Sequence, residues 1–195
     1  MRKQLPTNSF NYQNKMSSKI IVPRNARDAN GSCQKEGLSA EEAFKERVAE
    51  RGGVWRNANR EENIFKHIDC FVDGKAFDVK APKRIARRNR RGMKGLVQDA
   101  LHWIEHIGIT GHPGWTHATH MDYLAFQMLN GTFIVVNRAL LSSFLDDRVA
   151  FQGGKCAKSQ YTAKDGVLWR RKGRRDAMTL FSTDQLLSLK GTEIW

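Results

Sequence analysis

The dipeptide Asp73-Gly74 is the feature that most constrains how this chain can fold. Apolar-rich runs flank it, and Asp-Gly between such runs is the strongest short-range signal for a two-residue type I′ β-hairpin turn. A turn at these two residues fixes the pairing of both strands. The predicted pairs are Val72 with Lys75, Phe71 with Ala76, Cys70 with Phe77, Asp69 with Asp78, and His67 with Lys80.

The predicted hairpin separates polar from apolar side chains, because successive side chains along a strand point to opposite faces. One face carries His67, Asp69, Asp78 and Lys80, and the other carries Cys70, Val72, Phe77 and Val79. Two carboxylates directly opposite each other destabilise a strand pair. A divalent cation between them removes that cost, and a neighbouring lysine can bind a phosphate. The alternative is a pair of solvated strand carboxylates, but the apolar residues around them favour strands that are covered on both faces.

The order Asp69, hairpin, Asp78-Val79-Lys80 resembles the Asp…(Asp/Glu)-x-Lys signature of the PD-(D/E)XK nuclease superfamily, with Ile68 in place of the motif's proline. The superfamily includes restriction endonucleases, Holliday-junction resolvases and phage nucleases. The resemblance covers residues 38–189 in the order of elements. It implies a restriction-endonuclease-like α/β/α sandwich with a central mixed sheet. It also implies a Mg²⁺-dependent endonuclease, of the resolvase-like or phage-type branch, that hydrolyses phosphodiester bonds in DNA, with Mn²⁺ able to substitute.

The same resemblance implies roles for individual residues. Asp69 and Asp78 would hold the metal together with the backbone carbonyl of Val79, and Lys80 would orient the attacking water or stabilise developing charge. The family has a further carboxylate on the helix before the first strand. Among Glu41, Glu42, Glu46 and Glu50, we select Glu41 because it lies at the edge of the helix's apolar stripe. His67 is either a phosphate contact or proton acceptor, or a structural histidine.

The distribution of positive charge predicts a nucleic-acid partner. The chain has 195 residues and a formal net charge of +13, which favours binding to a polyanion. Beyond Lys80, a run without acidic residues is predicted to contact the phosphate backbone. It consists of Lys83, Arg84, Arg87, Arg88, Arg90, Arg91 and Lys94. A second basic cluster at 170–175 is either a further contact or a solvated hairpin tip. Trp115 is a candidate for base stacking or for ordinary packing.

Two classes of function remain open on this evidence. The first is the nuclease, and the second is a non-catalytic nucleic-acid-binding protein on the same fold. Duplex, junction, flap and single-stranded DNA, as well as RNA, remain open as substrates. Paired cuts on two strands would require a homodimer.

Cysteine and histidine usage adds expectations about compartment and metals. The three cysteines are widely separated, which favours a reducing cytoplasm, that of a host cell if the protein is phage-encoded. The chain contains no long apolar run, so we expect no membrane partner. His102 and His106 are four residues apart in a predicted helix, but on its polar face, so zinc is not expected there despite His112, His117 and His120 nearby.

The remaining pattern divides the chain into a flexible basic and polar arm, 1–37, and a nuclease-like domain, 38–195. A helix is predicted from Ser39, with a Ser39–Glu42 capping box, to Gly52-Gly53. The other predicted helices are 93–107, a short one from Asn137 to Phe144, and a last one capped by Thr183 or Asp184. The predicted strands are 54–58, 64–72, 75–80, 123–128, 132–136, 167–170 and 177–181.

Overall fold

The computed structural model describes residues 31–82, 84–85, 96–159 and 162–195. Within these ranges the helices are α1 (Ser32–Glu50), α2 (Arg60–Lys66), α3 (Arg138–Phe151) and α4 (Thr183–Leu187), with a short 3-10 helix at Trp115–His117. The first six strands are β1 (Trp55–Asn57), β2 (Cys70–Val72), β3 (Lys75–Lys80), β4 (Arg84–Ile85), β5 (Leu96–Val97) and β6 (Leu101–Ile107). The other six are β7 (Tyr123–Gln127), β8 (Phe133–Asn137), β9 (Cys156–Ala157), β10 (Leu168–Trp169), β11 (Ala177–Ser182) and β12 (Glu193–Ile194).

The central sheet has the strand order β1-β2-β3-β7-β8-β12 and is built around the predicted hairpin. Asp73 and Gly74 have φ angles of 49° and 77°, and positive φ at both central residues is the signature of a type I′ turn. The pairs Val72–Lys75, Phe71–Ala76 and Cys70–Phe77 form as predicted. β3 then pairs in parallel with β7, and β7 pairs antiparallel with β8, so the sheet is mixed.

Helix α1 covers one face of this sheet. Its predicted apolar stripe is confirmed, because Ala40, Phe44 and Val48 are buried against the apolar side of the hairpin. The helix begins at Ser32, however, so Ser39 lies inside it and the predicted Ser39–Glu42 capping box is wrong. Residues 32–37 are therefore helical and not part of an arm, while residues 1–30 lie outside the described ranges.

The opposite face of the central sheet packs against α3, α4 and a second mixed sheet with the order β6-β11-β10-β9. The central sheet has a hydrophobic core on each face, because successive side chains of its strands point to opposite sides. In β7, Ala125 packs on the α1 side, and Leu124 and Phe126 pack on the other. The predicted strand pairs 123–128 with 132–136 and 167–170 with 177–181 both form. Asn137 caps α3 as predicted, by accepting a hydrogen bond from the backbone N–H of Leu140, and Ser182 caps α4 one residue before the expected position.

The predicted helix 93–107 is wrong where the structure describes it. Residues 101–107 form β6, which pairs with β11 along its length. His102 and Ile104 are buried on one side of β6, and the alternate Trp103 and Glu105 are only partly buried. The apolar residues of this segment are spaced as in a helix, but the segment forms a strand because it pairs with β11. Residues 93–95 lie outside the described ranges.

The predicted strand 64–72 is also too long. Asn59 and Glu62 form a reciprocal capping box that begins α2, and α2 ends at Lys66. The next residue, His67, has a φ angle of 56°. Only Cys70–Val72 of the predicted strand pairs in the sheet.

The described part of the chain is thus a mixed α/β fold with two mixed sheets. The crossover from β3 to β7 contains strands at the place where the nuclease order predicts a helix, so the restriction-endonuclease-like sandwich remains a prediction. Among the described helices, none combines the length and apolarity needed to cross a membrane.

Candidate active site

The candidate site lies at the C-terminal end of β3. Phe77 and Val79 point into the core beneath α1, so Asp78 and Lys80 point to the opposite face of the sheet. Asp78 is only 3 % exposed. The Nζ atom of Lys80 lies 2.6 Å from Asp78 Oδ2, so the ammonium group compensates the buried carboxylate.

Asp69 reaches this site from the residue just before β2. Its backbone N–H donates to the carbonyl of Phe77 (2.8 Å), and its Oδ2 accepts from the N–H of Val79 (2.8 Å). Asn63 Nδ2 donates to Oδ1 at 2.8 Å. β2 begins only at Cys70, opposite Phe77, so the predicted Asp69–Asp78 and His67–Lys80 ladder pairs do not form. The chain before Cys70 leaves α2 and is not yet a strand.

The two carboxyl groups nevertheless interact. Burial raises the pKa of Asp78 to about 8; the Lys80 ammonium opposes this shift, and the charge and hydrogen bonding of Asp69 add to it. Asp78 Oδ2 is fully buried, and no described residue gives it a hydrogen bond of normal geometry despite the short distance to Lys80. A buried carboxylate oxygen of this kind is suited to a cation.

The backbone carbonyl of Val79 points to the same edge of β3 as the Asp69 carboxylate. Within a strand, the N–H and C=O groups of one residue point to the same side, and the Val79 N–H donates to Asp69. Val79 lies beyond the first residue of β2, so no strand residue in the described ranges pairs with it on that side. Asp69, Asp78 and Val79 therefore offer oxygen atoms only, the donor set that Mg²⁺ prefers.

His67 joins the site by a route that the sequence did not predict. It is the left-handed residue that ends α2, not a strand residue opposite Lys80. Partial burial and the charge of Lys80 lower the pKa of His67, and the charge of Asp69 raises it. The structure thus brings His67 and Asp69 close to the Asp78–Lys80 pair. His67 and Asp69 themselves lie outside the strands.

Glu41 lies on α1, on the other side of the sheet from Asp78. It is half-buried and contributes, after burial and Asp69, to raising the pKa of the Cys70 thiol. The groups that shift the pKa of Asp78 are Lys80 and Asp69, and Glu41 is not among them. The structure therefore places the predicted helix carboxylate next to the core side of the hairpin.

A cavity of about 620 Å³ opens beside Lys80, between the end of β3, the second sheet and the first turns of α1. Three tryptophans contribute to its wall, Trp103, Trp115 and Trp169. Lys80 Nζ lies 4.6 Å from the centre of the Trp115 ring, a cation–π distance. The cavity thus combines aromatic surfaces with the ammonium group of the site.

Glu105 on β6 is a cavity residue that the sequence analysis missed. Burial raises the pKa of its carboxyl group, against a hydrogen bond from the Trp115 N–H to Oε2 (3.2 Å) and the charge of Lys80. The incorrect helix over 93–107 concealed Glu105. No local pattern in the sequence marks Glu105 as a strand residue, because the pairing of β6 with β11 sets its place.

Residues that flank the first basic run, and one residue of the second cluster, line this cavity. Pro82 and Gln98, on either side of the first run, line its wall, and β4 and β5 pair between them. Lys83, Arg87, Arg88, Arg90, Arg91 and Lys94 lie outside the described residues, as does the side chain of Arg84. From the second cluster, Arg171 lines the cavity and forms a close ion pair with the buried Asp176, whereas Lys172 is exposed at the turn.

Comparisons of the chain with protein-family models, with curated proteins and with solved structures find no match.

Proposed function

We propose that this protein is a Mg²⁺-dependent nuclease that hydrolyses phosphodiester bonds in DNA, of the PD-(D/E)XK type. The observation that carries the proposal is the meeting of Asp69, Asp78 and Lys80 at the end of β3, with Lys80 Nζ 2.6 Å from Asp78 Oδ2. The net charge of +13 supports a polyanionic substrate.

The metal would be held by the carboxylates of Asp69 and Asp78 and the carbonyl of Val79. When bound there, Mg²⁺ supplies a Lewis acid and lowers the pKa of a coordinated water. The hydrogen bonds from Asn63 and the Val79 N–H hold the Asp69 carboxylate in a fixed orientation. That orientation keeps the ligands prearranged at a rigid strand end.

Lys80 has two roles in this proposal. Without a cation it neutralises Asp78, and with one it is released to contact the scissile phosphate. An ammonium group positioned at a phosphoryl centre stabilises the charge that develops in the transition state. The ring of Trp115 limits where Lys80 can move, since the ammonium already lies 4.6 Å from the ring centre. His67 is close enough to influence Lys80 and Asp69 and can accept a proton at the site.

The cavity beside Lys80 is suited to part of a nucleic-acid strand. Its volume of about 620 Å³ falls in the usual range for ligand sites. Aromatic side chains stack on unpaired bases without selecting a sequence, and arginine binds phosphate. Trp115 and Arg171 lie on its wall, and we assign these two roles to them.

A second candidate function is nucleic-acid binding without catalysis. The observation that favours it is the Asp78–Lys80 ion pair, which neutralises the buried carboxylate in the absence of a metal. In that case the acidic pair would be structural, and the cavity and the basic run would bind the strand.

Incubation with supercoiled plasmid DNA separates the two candidates. The nuclease proposal predicts nicking with Mg²⁺ and none with EDTA. We expect Asp78→Asn and Lys80→Gln to lower the rate by at least about 100-fold, the typical effect of removing one transition-state contact. Asp147→Asn and Lys75→Gln are matched controls, since both residues are exposed and lie outside the site.

Two outcomes would count against the proposal. Full cleavage by Asp78→Asn would refute the assigned site. Tight binding without cleavage, in Mg²⁺ and in Mn²⁺, would favour the non-catalytic alternative.

A further inference from the structure

Three side chains from three different elements meet beside β6, away from the candidate active site. They are His106 of β6, His117 of the 3-10 helix and Asp146 of α3, and their potential ligand atoms lie within 4.8 Å of one another. His106 Nδ1 is 3.0 Å from His117 Nε2. Asp146 Oδ1 is 3.7 Å from His106 Nδ1 and 3.8 Å from His117 Nε2.

These separations are close to those of a tetrahedral metal site. With bonds of 2.0–2.1 Å, two ligand atoms at the tetrahedral angle are about 3.3 Å apart. The three observed distances lie on both sides of that value. Movements of a few tenths of an ångström would therefore place all three atoms around one ion.

The second nitrogen of His117 has a partner that orients its ring. Ser142 Oγ lies 2.7 Å from His117 Nδ1, so Nε2 is the nitrogen directed at His106 and Asp146. In metal sites, a ligating histidine almost always uses its other nitrogen in such a bond, which fixes the ring and its tautomer. The cluster thus has both candidate ligands and a group that orients one of them.

The surroundings leave the site open to an ion from solution. The side chain of Asp146 is 55 % exposed, compared with 23 % and 18 % for those of His106 and His117. A water molecule can therefore complete the coordination. The charge of Arg170 is also felt at His106 and opposes a cation, whereas that of Asp146 favours one.

We propose that His106, His117 and Asp146 form a transition-metal site that prefers Zn²⁺. Two imidazoles and one carboxylate suit Zn²⁺ better than Mg²⁺, which prefers oxygen ligands alone. The site is separate from the proposed nuclease centre, because none of His106, His117 and Asp146 lines the cavity beside Lys80. Bound metal would join β6, the 3-10 helix and α3, and so fix the segment that carries Trp115.

The test titrates Zn²⁺ alone into the full-length, EDTA-treated and dialysed protein by isothermal titration calorimetry. We expect one saturable site, with an affinity at least tenfold lower in His117→Gln and Asp146→Asn. His112→Gln and His120→Gln are matched controls, because both histidines are exposed and outside the cluster. Repeating the titration with Cys33→Ser/Cys156→Ser removes binding by the two exposed thiols.

Thermal unfolding provides a second readout that does not require nuclease activity. Zn²⁺ should raise the Tm of the unaltered protein and of both histidine controls, since a ligand that binds the folded state stabilises it. Asp146→Asn should fold normally, because Asp146 is exposed, and should lose the Zn²⁺-dependent rise. Zn²⁺ affinity that is the same in Asp146→Asn and the unaltered protein, or no saturable site, would overturn the proposal.

Discussion

The carboxylate of Asp69, one residue before β2 begins, accepts a hydrogen bond from the backbone N–H of Val79 at 2.8 Å. A side chain thus takes the place of the next backbone partner in the ladder. The same bond orients Asp69 toward the Asp78–Lys80 pair, so one interaction completes the edge of β3 and arranges the candidate site.

Asp69→Asn should separate the structural role of this residue from its chemical role. The asparagine side-chain oxygen can still accept from Val79, so we expect the free energy of unfolding to fall by only about 1 kcal/mol. Cleavage should be lost, because the neutral amide is a poor ligand for Mg²⁺. Urea denaturation and plasmid nicking measure the two effects. Cleavage at the unaltered rate would remove Asp69 from the proposed metal ligands.

Trp115→Ala should weaken binding to single-stranded DNA. Stacking on an aromatic side chain contributes about 1–3 kcal/mol per base, so we expect Kd to rise by roughly tenfold or more. Trp115→Phe keeps an aromatic face and should lose less. Fluorescence anisotropy with a labelled oligonucleotide measures Kd. Equal affinity in all three proteins would assign Trp115 to packing only.

Neutralising the first basic run should reduce the salt dependence of duplex binding. Each phosphate contact contributes about 0.9 to the slope of log K against log salt concentration. The fourfold variant Arg87→Gln/Arg88→Gln/Arg90→Gln/Arg91→Gln should therefore lower the magnitude of the slope by about 3–4. A variant with the same charge change at the exposed Lys155, Lys158, Lys164 and Lys190 is the control. Equal slopes in both variants would indicate that only net charge matters.

His102 should make the folded state less stable as the pH falls. Burial lowers its pKa to about 4 from an ordinary 6.5, with Asp99 opposing the shift, and its Nε2 forms a hydrogen bond with Thr183 Oγ1 at 3.0 Å. Between these pH values the unfolded chain binds the proton and the folded chain does not. Stability is therefore complete above about pH 6.5 and is lost down to about pH 4, by on the order of 2–3 kcal/mol.

The comparison of His102→Gln with the exposed control His120→Gln isolates this effect. Urea denaturation at a series of pH values should give a shallower decline for His102→Gln alone. The same decline in both variants would assign the acid sensitivity to other groups.

Gly166 and Gly173 should respond differently to alanine, although both have a positive φ, 82° and 73°. A Cβ atom at Gly166 would lie 2.3 Å from the backbone oxygen of Arg148, whereas one at Gly173 would meet nothing within 4 Å. Gly173→Ala should cost about 1–2 kcal/mol through its backbone conformation alone. Gly166→Ala should cost clearly more, as measured by urea denaturation. Similar losses would show that the loop at Gly166 shifts to accept the side chain.

Local signals in the sequence predicted the parts of the fold that local physics controls. The Asp73-Gly74 turn has a preferred geometry of its own, and it determined the register of β2 and β3 correctly. The Asn137 cap and the stripe of α1 are equally local, and both are confirmed.

The errors arose where distant partners or competing local signals decide the structure. Leu101–Ile107 is a strand because it pairs with β11, at least 70 residues away in sequence. The capping box of Asn59 and Glu62 was present in the sequence, but the apolar Ile64 and Phe65 outweighed it and suggested a strand. Glu105 and the cavity followed from the same β6 pairing, so no local pattern revealed them.

The parallel pairing of β3 with β7 has a consequence for how this protein can vary. A chain that leaves one strand and enters a parallel neighbour must return to the opposite end of the sheet, so it needs a long crossover. Here that crossover begins directly after Lys80 and carries the first basic run and Trp115. In the proposed nuclease, changes in the length or charge of residues 83–95 would therefore alter contacts to the substrate, while the two aspartates and the hairpin that orients them stay intact.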